Sequence, residues 1–112
     1  MIEPLVSICC ITYNQESLIA DAIESFLMQR TTFPFEILIG EDCSTDGTEK
    51  VVREYERLYP EMIRLFVNEQ NVGGRSNLKN LIKNAKGRYI ALCEGDDYWL
   101  NPDKLQKQVN VL

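Results

Sequence analysis

The chain has no surplus of basic residues, and that removes one class of function at once. Lys and Arg number 12 against 17 Asp and Glu, a formal net charge of −5. Holding a phosphate backbone needs clustered cations, so nucleic acid is excluded as a partner. The same acidity repels a free nucleotide unless a cation bridges the two. No pair among the four cysteines, Cys9, Cys10, Cys43 and Cys93, has a C-x-x-C spacing. Cys9, Cys10 and Cys93 sit in or at the end of strand-like runs, where thiols read as reduced core residues of a cytosolic protein. The Met-Ile-Glu-Pro start lacks the basic region of a signal peptide. No apolar run approaches the roughly 20 residues that span a bilayer, so any membrane anchor must lie outside this sequence. Internal repeats and low-complexity segments are also missing.

What is present is ordinary for a soluble globular fold: 45% hydrophobic and 26% charged residues over 112 positions. Residues 1–112 form one domain, small for an enzyme that must hold two substrates. Apolar spacing alternates between strand and helix. Leu5 to Ile11 is nearly continuous apolar, as in a strand buried on both faces. Asn14 offers an N-cap to a helix carrying Leu18, Ile19, Ala22, Ile23, Phe26 and Leu27. Phe35 to Ile39 is a second strand, ended by Gly40. A helix follows Ser44–Thr45–Asp46, with Asp46 and Glu49 spaced as a capping box, and Pro60 stops it. Ile63 to Val67 is a third strand, and its Arg64 suits an edge position. The third helix has a stripe of Leu78, Leu81, Ile82 and Ala85 before Gly87. Tyr89 to Cys93 is the fourth strand. Asn101 then caps a helix with Pro102 first and Leu105, Val109 and Leu112 as its stripe, running without a stop signal to the end.

Strict alternation predicts a doubly wound parallel α/β sheet with right-handed crossovers and helices on both faces. The expected strand order is 3-2-1-4. In such sheets ligands bind beyond the carboxyl ends of the strands, where strand order reverses. Thr12–Tyr13–Asn14, Glu41–Asp42 and Glu94–Gly95–Asp96–Asp97 follow the first, second and fourth strands. Carboxylates gathered on one rim repel unless something positive joins them, and Mg²⁺ or Mn²⁺ with a diphosphate meets that need.

Four motifs then occur in order: ITYN at the first strand end, EDCSTDGT after the second, NVGG after the third, and AKG leading into the strand that ends in EGDD. On these residues the chain resembles the N-terminal, nucleotide-sugar-binding half of family 2 (GT-A type) glycosyltransferases, over essentially its whole length. The resemblance implies a Rossmann-like GT-A sheet, truncated before the acceptor-binding half. It implies that Thr12, Tyr13 and Asn14 belong to the nucleotide-sugar site, with the Tyr13 ring beside the base. By the same resemblance Asp42 is expected to accept a hydrogen bond from the base, most often uracil N3–H. The resemblance also implies that Asp96 belongs to the metal–diphosphate site, supported by Glu94 or Asp97, with Asp96 and Asp97 as expected ligands of Mn²⁺ or Mg²⁺. The implied reaction moves a sugar from a nucleotide diphosphate, UDP-sugar favoured, to a saccharide or lipid-linked acceptor with inversion. Cell-surface polysaccharide or glycan synthesis, cytoplasmic or at the inner membrane face, is the implied setting. The general base falls in the missing half, so these residues alone are expected to transfer no sugar, and the uncovered last helix and fourth strand to favour self-association.

Two departures stand out. Family members carry Ala-Arg-Asn early in the third helix, where this chain has Asn77–Leu78–Lys79; Arg75, one turn earlier, is the substitute. The first carboxylate of the acidic motif is Glu94 rather than Asp, which changes its reach. Two other functions compete. A non-catalytic nucleotide-binding module would use the same rim. A receiver-type signalling domain needs an acidic pair after the first strand and Asp after the third, where this chain has Thr12–Tyr13–Asn14 and Asn68. A dinucleotide fold or nucleotidyltransferase needs a Gly-rich loop after the first strand, and none is there.

Overall fold

The computed structural model describes residues 3–112; Met1 and Ile2, read above for the lack of a signal sequence, lie outside the described residues. Strands and helices alternate as β1 Val6–Thr12, α1 Ile19–Leu27, β2 Phe35–Glu41, α2 Thr48–Leu58, β3 Ile63–Val67, α3 Gly74–Asn84, β4 Tyr89–Leu92 and α4 Lys104–Asn110. All strand pairs are parallel, and the sheet order is β3-β2-β1-β4, as expected from the alternation. β1 is central, with Cys9 opposite Leu38 on β2 and Leu92 on β4.

Strand alternation divides the core. Val6, Ile8, Cys10, Ile37, Ile39 and Ile63 face one side, where Ile19, Ile23 and Phe26 of α1, Val52 of α2 and Leu105 of α4 cover them. Cys9 and Leu38 face the other side, closed by Leu81 of α3 with Leu78 and Ala85. The chain therefore crosses from one face to the other at α3, because the connection from β3 must pass over β2 and β1 to reach β4.

A polar knot lies under the C-terminal turn of α3. Glu36, 7% exposed, accepts Ser7 Oγ at 2.6 Å, Lys86 N at 2.7 Å and Arg64 Nη1 at 3.0 Å. Arg64 also donates to the Asn84 carbonyl at 2.9 Å, so β3 is the expected edge strand and its arginine has an inward task. Burial raises the Glu36 carboxyl, but the Ser7 hydroxyl, the Lys86 N–H and Arg64 together hold it below the usual range.

Several element ends differ from expectation. Asn14 does not cap α1: the helix starts at Ile19, and Asn14 is left-handed at φ 50°. Its side chain is drawn to the neighbouring loop instead, as described below. Asp46 does accept Thr48 N–H at 2.9 Å, but Glu49 turns to Arg53, so the capping box is open. Ile82 is 43% exposed, because α3 packs through Asn77 and Leu81 rather than through the wider stripe. In α4 the helix stops at Asn110, leaving Leu112 72% exposed while Leu105 is buried. Asn101 Oδ1 accepts Asp103 N–H, so it forms the turn that opens α4 without being its cap residue. Trp99 packs edge-on to Phe26, centroids 4.9 Å apart, whereas Tyr98 is exposed.

Candidate functional site

Strand order reverses between β1 and β4, which are joined to the rest of the sheet by α1 on one face and α3 on the other, so the carboxyl ends of these two strands flank the switch point. A cleft of ≈ 270 Å³ opens there. It is bounded by Thr12 at the end of β1, Tyr13 just after it, Asp42 after β2, Glu94 after β4, and Gly73 and Asn77 at the start of α3. Asp42 and Asp96 leave the same carboxyl rim of the parallel sheet.

Asp42 is 2% exposed and anchors the loop after β3. Its Oδ1 accepts Asn68 Nδ2 at 3.0 Å and Val72 N–H at 2.9 Å; its Oδ2 accepts Gly73 N–H at 2.9 Å. Gly73 has φ 88°, a conformation glycine adopts without a Cβ penalty, and that turn presents its N–H to the carboxylate. A carboxylate has about four lone-pair positions. Three are occupied by described residues, which leaves one acceptor position, on Oδ2, and Asp42 is among the residues that line the cleft.

The loops after β1 and β2 are tied to each other. Asn14 Oδ1 accepts Thr45 N–H at 2.8 Å, and Asn14 N–H donates to Ser44 Oγ at 2.9 Å. Glu16 Oε1 accepts Gly47 N–H at 2.8 Å, and Gln15 N–H donates to Thr48 Oγ1 at 2.8 Å. Thr12 Oγ1 donates to Gln15 Oε1 at 2.7 Å. Beneath them Glu41 is fully buried; one oxygen takes Ser44 N–H and the other has no partner among the described residues.

The turn after β4 is pinned at Gly95, whose N–H donates to the Ile11 carbonyl at 3.0 Å. Glu94, Asp96 and Asp97 are exposed around it, and none has an ion-pair partner among the described residues. Their charge reaches the sheet beneath. The Cys93 thiol is pushed up to about 11, first by burial and then by Asp97, with Lys104 opposing and Asp96 and Glu94 adding. Among the described residues no three metal-binding side chains converge. Hard carboxylate oxygens without cationic partners suit Mg²⁺ or Mn²⁺, with a ligand set left incomplete for phosphate oxygens and water.

The structure brings Thr12, Tyr13, Asp42 and Glu94 together in the cleft wall. It turns Asn14 away toward Ser44–Thr45, and leaves Arg75, Asp96 and Asp97 exposed outside the wall. Sequence reasoning missed Gln15, Asn68 and Asn77 as parts of the site. Asn77 carried a signal: it heads the i, i+4 series Asn77–Leu81–Ala85, a polar residue in an otherwise apolar stripe.

A parallel α/β sheet with a polar cleft at its switch point and carboxylates on the rim defines the doubly wound α/β class, in which that crevice is the ligand position. The chain belongs to glycosyl transferase family 2, whose pattern it matches over residues 7–112. Among its relatives is the Escherichia coli UDP-Glc:alpha-D-GlcNAc-diphosphoundecaprenol beta-1,3-glucosyltransferase WfgD, 35% identical over 112 residues, covering 100% of this chain and 42% of WfgD. Staphylococcus aureus TarS 1–349 in complex with UDP superposes with a TM-score of 0.80 at 29% identity, over 94% of this chain and 31% of that one. The mannosyltransferase PcManGT of Pyrobaculum calidifontis, in complex with GDP-Man and Mn²⁺, gives 0.84 at 25% identity, over 96% and 32%. The chain thus spans about a third to two fifths of the relatives it matches. Family membership removes the signalling-module alternative. No helix among the described residues is long and apolar enough to cross a membrane.

Proposed function

We propose that the protein containing this chain transfers a sugar from a uridine diphosphate donor to an acceptor hydroxyl, and that this chain binds the donor. The observation that carries the reading is the single acceptor position remaining on Asp42. Uracil offers one N–H at N3, which matches one lone pair. Guanine presents two adjacent donors, which would need more of the carboxylate than its own loop leaves. Cytosine presents an acceptor at N3, which the carboxylate repels. Tyr13, 44% exposed at the cleft mouth, supplies a ring face for the base.

Asp96 and Asp97 would hold Mn²⁺ or Mg²⁺ against the diphosphate, with Glu94 at the cleft wall supporting them. Such an ion, when bound, offsets the negative charge of the diphosphate leaving group. Arg75, in the first turn of α3, adds a cation on the same rim. Attack on the anomeric carbon by a deprotonated acceptor inverts its configuration. The base for that proton is assigned to the portion of the protein beyond this chain. The proposed setting is polysaccharide or glycan assembly on a saccharide or lipid-linked acceptor at the cytoplasmic face, and part of the support is WfgD's named substrate.

Calorimetry with UDP, GDP and CDP, with Mn²⁺ or with chelator, tests the reading. UDP should bind tightest and more weakly without metal. Asp96→Ala should abolish the metal dependence, and Asp42→Ala should weaken UDP binding in both conditions. Equal affinity with and without chelator overturns the metal assignment, and a preference for GDP overturns the role of Asp42.

A further inference from the structure

We propose that Asn77 is a positioning residue for Asp42, acting through Asn68, and that it sets the nucleobase selectivity of the cleft. The inference rests on the reading above that Asp42 meets the base. Asn77 is 1% exposed in the first turn of α3, and its Nδ2 donates to the Gly40 carbonyl at 2.8 Å. A backbone carbonyl accepts only, so this bond dictates which way the Asn77 amide points. Its Oδ1 must then face Asn68, whose Nδ2 donates to it at 3.3 Å and to Asp42 Oδ1 at 3.0 Å. Both hydrogens of the Asn68 amide are thereby used. Reversing Asn68 would set its oxygen against Asp42, two acceptors face to face. The sense of each amide follows from the one before, beginning at the main chain of β2 and ending on the carboxylate.

The packing agrees. A Cβ on Gly40 would run into the Asn77 amide, so β2 has no side chain at the one point where the amide reaches its carbonyl. The neighbouring inward positions of α3, Leu81, Leu78 and Ala85, join an apolar cluster. An apolar side chain at 77 would fill similar volume without desolvating an amide, but it would free Asn68 to rotate. A free Asn68 would let Asp42 Oδ1 swing or take a second ligand donor, and the distinction between one N–H and two would blur.

The test is a double-mutant cycle read by titration of UDP and GDP at fixed Mn²⁺, using the 112-residue chain, Asn77→Ala, Asp42→Ala and the double variant. Asn77→Ala should weaken UDP binding by about tenfold, as for loss of a buried hydrogen bond, and lower the UDP-over-GDP ratio in parallel. In the Asp42→Ala background the same change should cost less than about twofold. An equal factor in both backgrounds, or an unchanged UDP-over-GDP ratio, overturns the proposal. If Asp42→Ala itself leaves UDP affinity native, the reading of Asp42 falls instead, so the two failures are separable. Asn77→Asp supplies a variant of native shape. Its protonated side chain can donate to Gly40 and accept from Asn68; the ionised form cannot, and nearby Asp42 disfavours ionisation. Its deficit relative to the native chain should therefore shrink between about pH 8 and about pH 5. A constant deficit overturns the proposal even if Asn77→Ala fails to fold.

Discussion

Asn14 holds Thr45 across two loops: the Asn14 side-chain oxygen accepts the Thr45 backbone N–H at 2.8 Å while Asn14 itself sits at φ 50°. The clasp draws the residues after β1 and β2 into one rim, so Tyr13 and Asp42 are set relative to each other. Asparagine suits the position twice, since it tolerates the left-handed region and its short amide reaches a neighbouring main chain.

Substitutions at Asn14 should separate these two contributions. Asn14→Gly keeps the backbone conformation and loses the bond, at a cost of about 1 kcal/mol. Asn14→Ala loses the bond and adds strain of about 1 kcal/mol more. Urea unfolding should rank native above Gly above Ala. An alanine variant as stable as the native chain would show that the clasp contributes nothing.

Gly95 carries the acidic turn on a close approach. A Cβ there would meet the Gln15 amide oxygen, Thr12 Oγ1 and Ile19 Cδ1. Gly95→Ala should therefore push Glu94 and Asp96 outward, reducing the Mn²⁺-dependent part of UDP binding by about tenfold or more. Binding measured in chelator should change far less. A uniform loss in both conditions would mean that the substitution damages the β1 end instead.

Glu36 makes stability depend on acid. Its folded pKa lies below the ordinary 4.5, so its contribution is full above that value and is lost as pH falls through the folded one. Glu36→Gln should destabilise the chain at pH 7 by about 1–3 kcal/mol, and by less near pH 3. Denaturant unfolding at the two pH values checks this. Asp46, also held low, chiefly by its bond from the Thr48 hydroxyl, keeps some acid sensitivity in the variant. An equal deficit at both pH values would show that the Glu36 charge is irrelevant.

Gln29 joins the end of α1 to the start of α4. Its Nε2 donates to the Asn101 carbonyl at 2.9 Å and its Oε1 accepts Leu105 N–H at 3.0 Å. Leu105 N–H is an otherwise orphaned first-turn donor of α4, and it is buried with its residue. Gln29→Ala should cost about 2 kcal/mol and speed amide exchange at Leu105 more than at Leu81. Equal protection at Leu105 in both proteins would contradict the assignment.

The sequence by itself determined the elements, their parallel order and the rim. Val6, Ile8, Cys10, Ile37 and Ile39 are apolar at every second position, Ile19, Ile23 and Phe26 recur at helical spacing, and polar residues follow the strands. These are local periodicities, which burial of one face enforces wherever the chain folds. The motif residues Thr12, Tyr13, Asp42 and Glu94 converge because parallel strands send all their carboxyl ends to one side. Only the tertiary structure decided the partners of the polar side chains. Asn14 read as a cap and became a clasp 31 residues away; Asn77 read as a departure from a motif and meets Gly40 across 37 residues. Glu36 lay unremarked in a strand and collects Ser7, Arg64 and Lys86. A hydrogen bond depends on angles and distances set by packing, and no spacing along the chain encodes which distant donor arrives.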